Sequence, residues 1–229
     1  MTTPKRWAGS VDPHFTEEDK ENDVVIVVEN KRLYTNTRIL ANESNVFAKL
    51  VFESRRKHGL YEIQLNKKYT EIIDLLSYLH PKVKIKLNDR TSMRLIPLAE
   101  EYEIRRLRDD CEDYLINSLK LKINKSRTFF SREKDTTSDY AFRCLKIAEK
   151  HSLTPLLSQC IKAYSSPRVS LRDLRSSEVS ASVKARIYEK RLDLCSREMA
   201  NMKRELDKIR QEKLDLKYQL EHIPELDGT

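Results

Sequence analysis

The chain has 229 residues, 39% hydrophobic and 35% charged, with 44 Lys and Arg against 36 Asp and Glu for a net charge of +8. That balance excludes a single large globular core and excludes disorder throughout; it fits a modest core joined to long solvated helices. The three glycines, Gly9, Gly59 and Gly228, stand far apart, so a P-loop, a dinucleotide fingerprint and a kinase Gly-rich loop are excluded, each needing clustered glycines where backbone N–H groups approach phosphate.

Residues 1–22 carry Pro4, Gly9, Pro13 and the acidic run Glu17-Glu18-Asp19, and read as a flexible N-terminal tail with Trp7 and Phe15 as local docking points. Val24 to Val28 is an unbroken β-branched run, which predicts a buried strand. Arg32 to Tyr34 is its expected hairpin partner, although Asn30-Lys31 is not an ideal two-residue turn. Ile39, Leu40, Phe47, Leu50 and Val51 then follow helical spacing, broken near 42–45, where Ser44 or Asn45 is placed to cap a second short helix. The chain turns at Gly59, and Tyr61, Ile63 and Leu65 alternate with Glu62 and Gln64 as a strand buried on one face. Ile72, Ile73, Leu75, Leu76 and Leu79 form a helical stripe that Pro81 ends. Val83, Ile85 and Leu87 alternate with Lys82, Lys84 and Lys86, predicting a further short strand with a basic outer face.

Two helices follow, one through Met93, Leu95, Ile96, Leu98, Ala99 and Tyr102, the other through Ile104, Leu107, Cys111, Tyr114, Leu115 and Leu119. Strands first and helices later is an α+β order. Residues 120–138, basic and polar around Phe129-Phe130, read as a linker. Residues 139–164 read as a helical hairpin, its second helix capped by Thr154 with Pro155 in the first turn. An Arg/Ser-rich connector is expected over 165–177.

From 178 to 223 there is neither Gly nor Pro. With Leu192 at heptad position a, the a positions are Ala185, Leu192, Met199, Leu206, Lys213 and Leu220, and the d positions are Tyr188, Cys195, Met202, Ile209, Leu216 and Ile223. All but Lys213 are apolar, and the phase never slips. A lone surface helix repeats every 3.6 residues and drifts off a strict seven-residue register, so 178–223 is predicted to be a coiled coil, with 224–229 as a tail; the alternative is one long helix folding back on its own domain, against which the flanking charges count. The flanks set the orientation. In a parallel, in-register homodimer, g meets e of the next heptad: Lys184 with Glu189, Glu198 with Lys203, Glu205 with Arg210 and Glu212 with Lys217 are opposite in sign, and Arg191 with Ser196 is neutral. An antiparallel pair would set Glu against Glu and Lys against Arg. Each exposed pair contributes only a few tenths of a kcal/mol, so the ladder decides direction rather than affinity. Lys213 at a favours two strands, since its ammonium snorkels out of a dimer more easily than out of a larger bundle.

Several pieces in order carry a family resemblance: Asp23-Val24 opening the first strand, Leu40-x-x-x-Ser44-x-x-Phe47, Tyr61-x-Ile63-x-Leu65, and Leu98-Ala99-x-x-Tyr102-x-Ile104-x-x-Leu107-x-x-x-Cys111-x-x-Tyr114-Leu115. Over 23–119 the chain resembles a BTB (POZ) domain, and 139–164 resembles the helical pair, a partial BACK or 3-box, that often follows one. The resemblance implies a small mixed sheet with clustered helices, no enzymatic activity, and a homodimer interface over about 23–41 involving Asp23, Ile39 and Leu40. Asn36 and Thr37 stand where the family usually has a histidine and a basic residue, which weakens its charged groove. It also implies recruitment of a cullin scaffold of a ubiquitin ligase, in which the chain acts as a substrate adaptor; a ligase-independent cytoskeletal or chromatin scaffold is the alternative. The hydrophobic-x-Glu segment that often helps cullin binding has no glutamate in 83–88.

Catalytic, metal and cofactor sites are not expected. The four cysteines and five histidines form no CxxC, HxxxH or HExxH spacing, and Cys111 and Cys160 lie on apolar helical faces as core residues. Cys195 would face its own copy across a parallel dimer. Basic and acidic side chains nearly balance over 23–120, so nucleic acid is not an expected partner. The start of the chain has no apolar signal region and the longest aliphatic run, 24–28, is too short to span a bilayer. The expectation is an intracellular protein, in cytoplasm or nucleus, whose partners are itself and a protein cargo the sequence does not identify.

Overall fold

The computed structural model describes residues 15–83, 85–125, 133–167, 169–175 and 178–221. Trp7 and residues 1–14, Lys84, Phe129-Phe130, Ile223 and the tail over 224–229 lie outside the described residues.

Strand β1 (Val24–Val28) is the second strand of a four-stranded mixed sheet in the order β2-β1-β4-β3, with β2 (Lys31–Thr35), β3 (Arg56–Lys57) and β4 (Leu60–Gln64). It pairs antiparallel with β2 and parallel with β4, placing Ile26 opposite both Leu33 and Ile63. Its neighbours on both edges and the core packed on its Val24, Ile26 and Val28 face account for the β-branched run, Val27 on the opposite face being half-buried. The β1–β2 turn falls on Glu29-Asn30, both at positive φ (48° and 60°), one residue earlier than the sequence suggested. Two positive φ values give the twist that a two-residue hairpin requires, and Asn tolerates them. The β3–β4 turn likewise uses His58 (φ 51°) and Gly59 (φ 89°).

Helix α1 (Thr37–Glu43) ends at Ser44, which begins α2 (Asn45–Glu53). The Ser44 hydroxyl accepts from the Phe47 N–H (3.0 Å) and donates to the Tyr102 carbonyl (2.5 Å), and the Phe47 ring stacks on Tyr102 with centroids 4.3 Å apart. Sequence pieces some 58 residues apart are thus one packed contact. Helix α3 (Tyr69–Leu79) stops at His80, whose ring meets the buried Phe15 edge to face.

The strand expected at 83–87 does not form among the described residues. Its alternation is real, with Val83, Ile85 and Leu87 half-buried and Lys82 and Lys86 exposed. But β2 and β3 hold the sheet edges, and among the described residues no strand pairs with it.

Helices α4 (Asp89–Glu101) and α5 (Arg105–Lys125) join through Glu103 at φ 52°, the Ile104 N–H reaching back to the Ala99 carbonyl (2.8 Å). Helix α5 takes in 120–125 of the expected linker, because Leu119 is buried and Lys122 and Lys125 complement the negative end of the helix. Helix α6 (Glu133–Lys150) takes in 133–138. The α6–α7 turn repeats the α4–α5 device, with Ser152 at φ 50° and the Leu153 N–H on the Ala148 carbonyl (2.8 Å). Helix α7 (Thr154–Ser165) has Leu153, not Thr154, at its N-cap, with no side-chain cap of its own. The connector holds a short α8 (Arg172–Arg175) and is pinned by buried Val169 and Leu174.

Helix α9 (Ala181–Glu221) is 41 residues long. Its first turns bury Val183 and Ile187 in the same core that runs through the sheet and α3–α7. Beyond Arg191, apart from the half-buried Leu194, the large apolar side chains stand in solvent: Leu192 is 67% exposed, Met199 66%, Met202 63% and Leu206 48%. The molecule is a packed body with a projecting rod.

Candidate protein-interaction site

Three regions bear on interaction: the face around α1, the joint between the sheet-bearing part and the α6–α7 pair, and the rod. At α1 the Asp23 carboxylate accepts from the Thr37 N–H (2.6 Å) and the Asn36 side chain accepts from the Arg38 N–H (2.8 Å). The Asn36 amide donates to the Glu21 carbonyl. Asp23 and Asn36 therefore satisfy first-turn amides that a helix leaves unpaired. Ile39 is half-buried at this face. Leu40, expected as an interface contributor, has no exposed surface and points into the chain's own core. Burial of one face of a seven-residue helix needs an inward leucine, and Leu40 is the buried residue of α1.

The joint is built from carboxylates that the sequence did not single out. Asp89, first residue of α4, accepts from the Ser118 hydroxyl of α5 (2.7 Å) and the Tyr140 hydroxyl of α6 (2.9 Å), and lies 3.0 Å from the Lys122 ammonium. Burial works to raise its pKa, but the hydrogen bonds from Ser118, Lys122 and Tyr140 and the Lys122 charge outweigh it and hold the carboxyl below the usual range. Burial pushes the Tyr140 phenol well up, which keeps it a neutral donor. Glu112 of α5, itself buried, accepts from the Leu156 N–H (2.9 Å) and so supplies the cap that α7 lacks. The His151 ring lies 2.6 Å from the Glu100 carboxylate, and the Arg108 guanidinium donates to the His151 carbonyl at 3.4 Å. The partners in these contacts are 29 to 51 residues apart, so only weak signals pointed to them: Tyr140 has a polar tip on an apolar stripe, and Glu112 sits one helical step beside the stripe Leu107, Cys111, Leu115, Leu119.

Two open clefts flank the joint. One, about 530 Å³, sets Glu43, Glu100 and Glu103 against Arg105, Arg106 and Arg108; the other, about 560 Å³, includes Lys122, Lys125 and Arg143 with Asp89 and Asp139. In both, charges of opposite sign are interleaved. Cys111, Cys144 and Cys160 are buried, which pushes the thiols of Cys111 and Cys144 up to about 12 and raises that of Cys160 as well; as thiols rather than thiolates they are poor nucleophiles. Among the described residues no group of three or more His, Cys, Asp or Glu gathers as a metal site, and no helix is long and apolar enough to cross a membrane.

On the rod, Ala185, Leu192, Cys195, Met199, Met202, Leu206, Ile209, Lys213, Leu216 and Leu220 are exposed, and Tyr188 is half-buried. Ile209, Leu216 and Leu220 are 59%, 60% and 68% exposed. The g and e side chains, Glu198, Lys203, Glu205, Arg210, Glu212 and Lys217, flank this row in sequence and are exposed as well.

Comparison with known proteins adds one match. Residues 14–119 fit the family model described as BTB/POZ domain, a span that begins with the segment carrying Phe15 and ends with the buried Leu119. No curated protein matches the chain. Residues 14–119 are a BTB/POZ domain, a protein–protein interaction module with a small mixed sheet and clustered helices, and in this chain it leads into a helical pair and a long C-terminal helix.

Proposed function

We propose that the protein is a homodimeric adaptor, two chains joined by a parallel, in-register coiled coil along α9 and by their BTB domains through the face of Asp23 and Ile39, with Leu40 supporting that face from beneath. The observation that carries the reading is the exposed a/d row of the rod. A single helix holding Leu192, Met199, Met202, Leu206, Ile209, Leu216 and Leu220 in water leaves unburied about 1.5–3 kcal/mol of hydrophobic stabilisation per large side chain. A second copy buries the row, and its g and e charges complement in the parallel direction only. Sedimentation velocity of the full chain at micromolar concentration tests this: twice the single-chain mass is expected, and a single-chain mass at every concentration refutes it.

The adaptor serves a cullin-RING ubiquitin ligase, presenting a protein cargo to it. Support comes from the helical pair, which Asp89, Glu112 and His151 fix to the BTB domain, so that a scaffold protein gripping both meets one continuous surface. The specific observation favouring a ligase-independent scaffold is the segment 83–88, which holds no glutamate and forms no strand in the described residues. Gel filtration of the full chain with the N-terminal region of a cullin separates the two. Co-elution supports the adaptor; independent elution supports the scaffold.

A further inference from the structure

Helix α9 carries two faces. At about 100° per residue, the Val183–Ile187 face buried in the body lies roughly 140° around the helix from the row that starts at Ala185, Tyr188 and Leu192. The row stays exposed at Ala185 and from Leu192 to Leu220, with only Tyr188 half-buried beside the body. Arg191 stands where the two faces meet. It is half-buried, and its guanidinium donates to the Tyr164 carbonyl in the last turn of α7 (3.3 Å) and to the Val169 carbonyl of the connector (2.9 Å). A carbonyl in a final helical turn has no intrahelical donor and sits at the negative end of the dipole, so a guanidinium is a well-matched partner. Arg191 is also the one g residue of the ladder whose partner position, Ser196, carries no charge. Arg191 is thus engaged within its own chain at a g position that faces no interchain acid.

We infer that Arg191 is the positioning residue that fixes the rod to its own body, and that α9 serves at once as an intramolecular brace and as the zipper for a second copy. This rests on the homodimer reading above. The helix contains no Gly or Pro between 181 and 221, so brace and zipper are continuous, and the two bodies of a dimer are held at a fixed mutual orientation rather than on flexible tethers.

The test uses the full chain with Cys195→Ser and one spin label per chain at Lys162→Cys, on the exposed side of α7. Pulsed electron–electron distances between the two bodies are compared with and without Arg191→Ala, together with the dimer dissociation constant and hydrogen exchange over 181–191. The inference predicts a narrow distance distribution that Arg191→Ala broadens, faster exchange over 181–191, and a dissociation constant changed by less than about 3-fold, since a neutral g–e pair has no ion pair to lose. It is overturned if the distribution and the exchange are unchanged, or if Arg191→Ala weakens dimerisation as strongly as loss of a seam leucine. A chain that is monomeric throughout refutes the homodimer reading and with it the zipper half, while faster exchange in Arg191→Ala still sustains the brace.

Discussion

The body and the rod use the same residue types to opposite ends. In the body, Ile187, Leu156 and Leu119 have no exposed surface, and even carboxylates such as Glu112 are buried with a partner. Past Arg191, on the same unbroken helix, the leucines and methionines other than half-buried Leu194 are about half to two-thirds exposed. Apart from Phe52 and Leu121, which stand in solvent, the body buries its large apolar side chains within one chain; in the proposed dimer the rod buries its row against a second chain. Proteins rarely leave a long contiguous apolar row in water unless something covers it, and the seven-residue period of the row is what the proposed second helix would match.

The comparison breaks most visibly under Leu206→Asp with Ile209→Asp. Removing four large apolar side chains per dimer costs about 6 kcal/mol or more of association, so sedimentation should show monomers while the melting temperature of the body stays put. Ile187→Ala should do the reverse: it sits on the same helix but in the body's core, and its loss should destabilise the body by about 3 kcal/mol in denaturant unfolding.

Asp89→Asn probes the joint and its pH dependence. The folded-state pKa of Asp89 lies below its ordinary value, so its stabilisation is present above the unfolded pKa, near 4, and is lost as pH falls through the folded value. Thermal melts from pH 7 to pH 2 should show a smaller acid-induced loss in Asp89→Asn than in the parent; identical profiles would remove Asp89 from the account. The smallest effect belongs to the hairpin. Asn30→Gly, at φ 60°, should stabilise the body by about 0.5 kcal/mol and leave dimerisation unchanged.

Local pattern carried most of the fold. The β-branched run of β1, the break at Ser44 and the stripes of α3, α4 and α5 are visible because each element buries one face with its own period. The segment 83–87 misled because alternation reports which side is buried, not whether a neighbouring strand exists. The linker misled for a related reason: lysines suit a helix C-terminus as well as a loop, and Leu119 already anchored α5. The contacts of Asp89, Glu112 and Arg191 were illegible, since a charged residue that caps a distant helix looks in sequence like one facing water. In α9 the regular heptads drew attention away from Val183 and Ile187, whose stripe belongs to the body.

Cys195 offers the most direct measurement. It is the exposed cysteine, whereas Cys111, Cys144 and Cys160 are buried, and in a parallel, in-register coil its d position faces the same residue of the second copy. Mild oxidation of the full chain should yield a disulfide-linked dimer on a non-reducing gel, abolished by Cys195→Ser. A protein that sediments as a dimer yet forms no such link, or that still links after Cys195→Ser, would contradict the parallel seam.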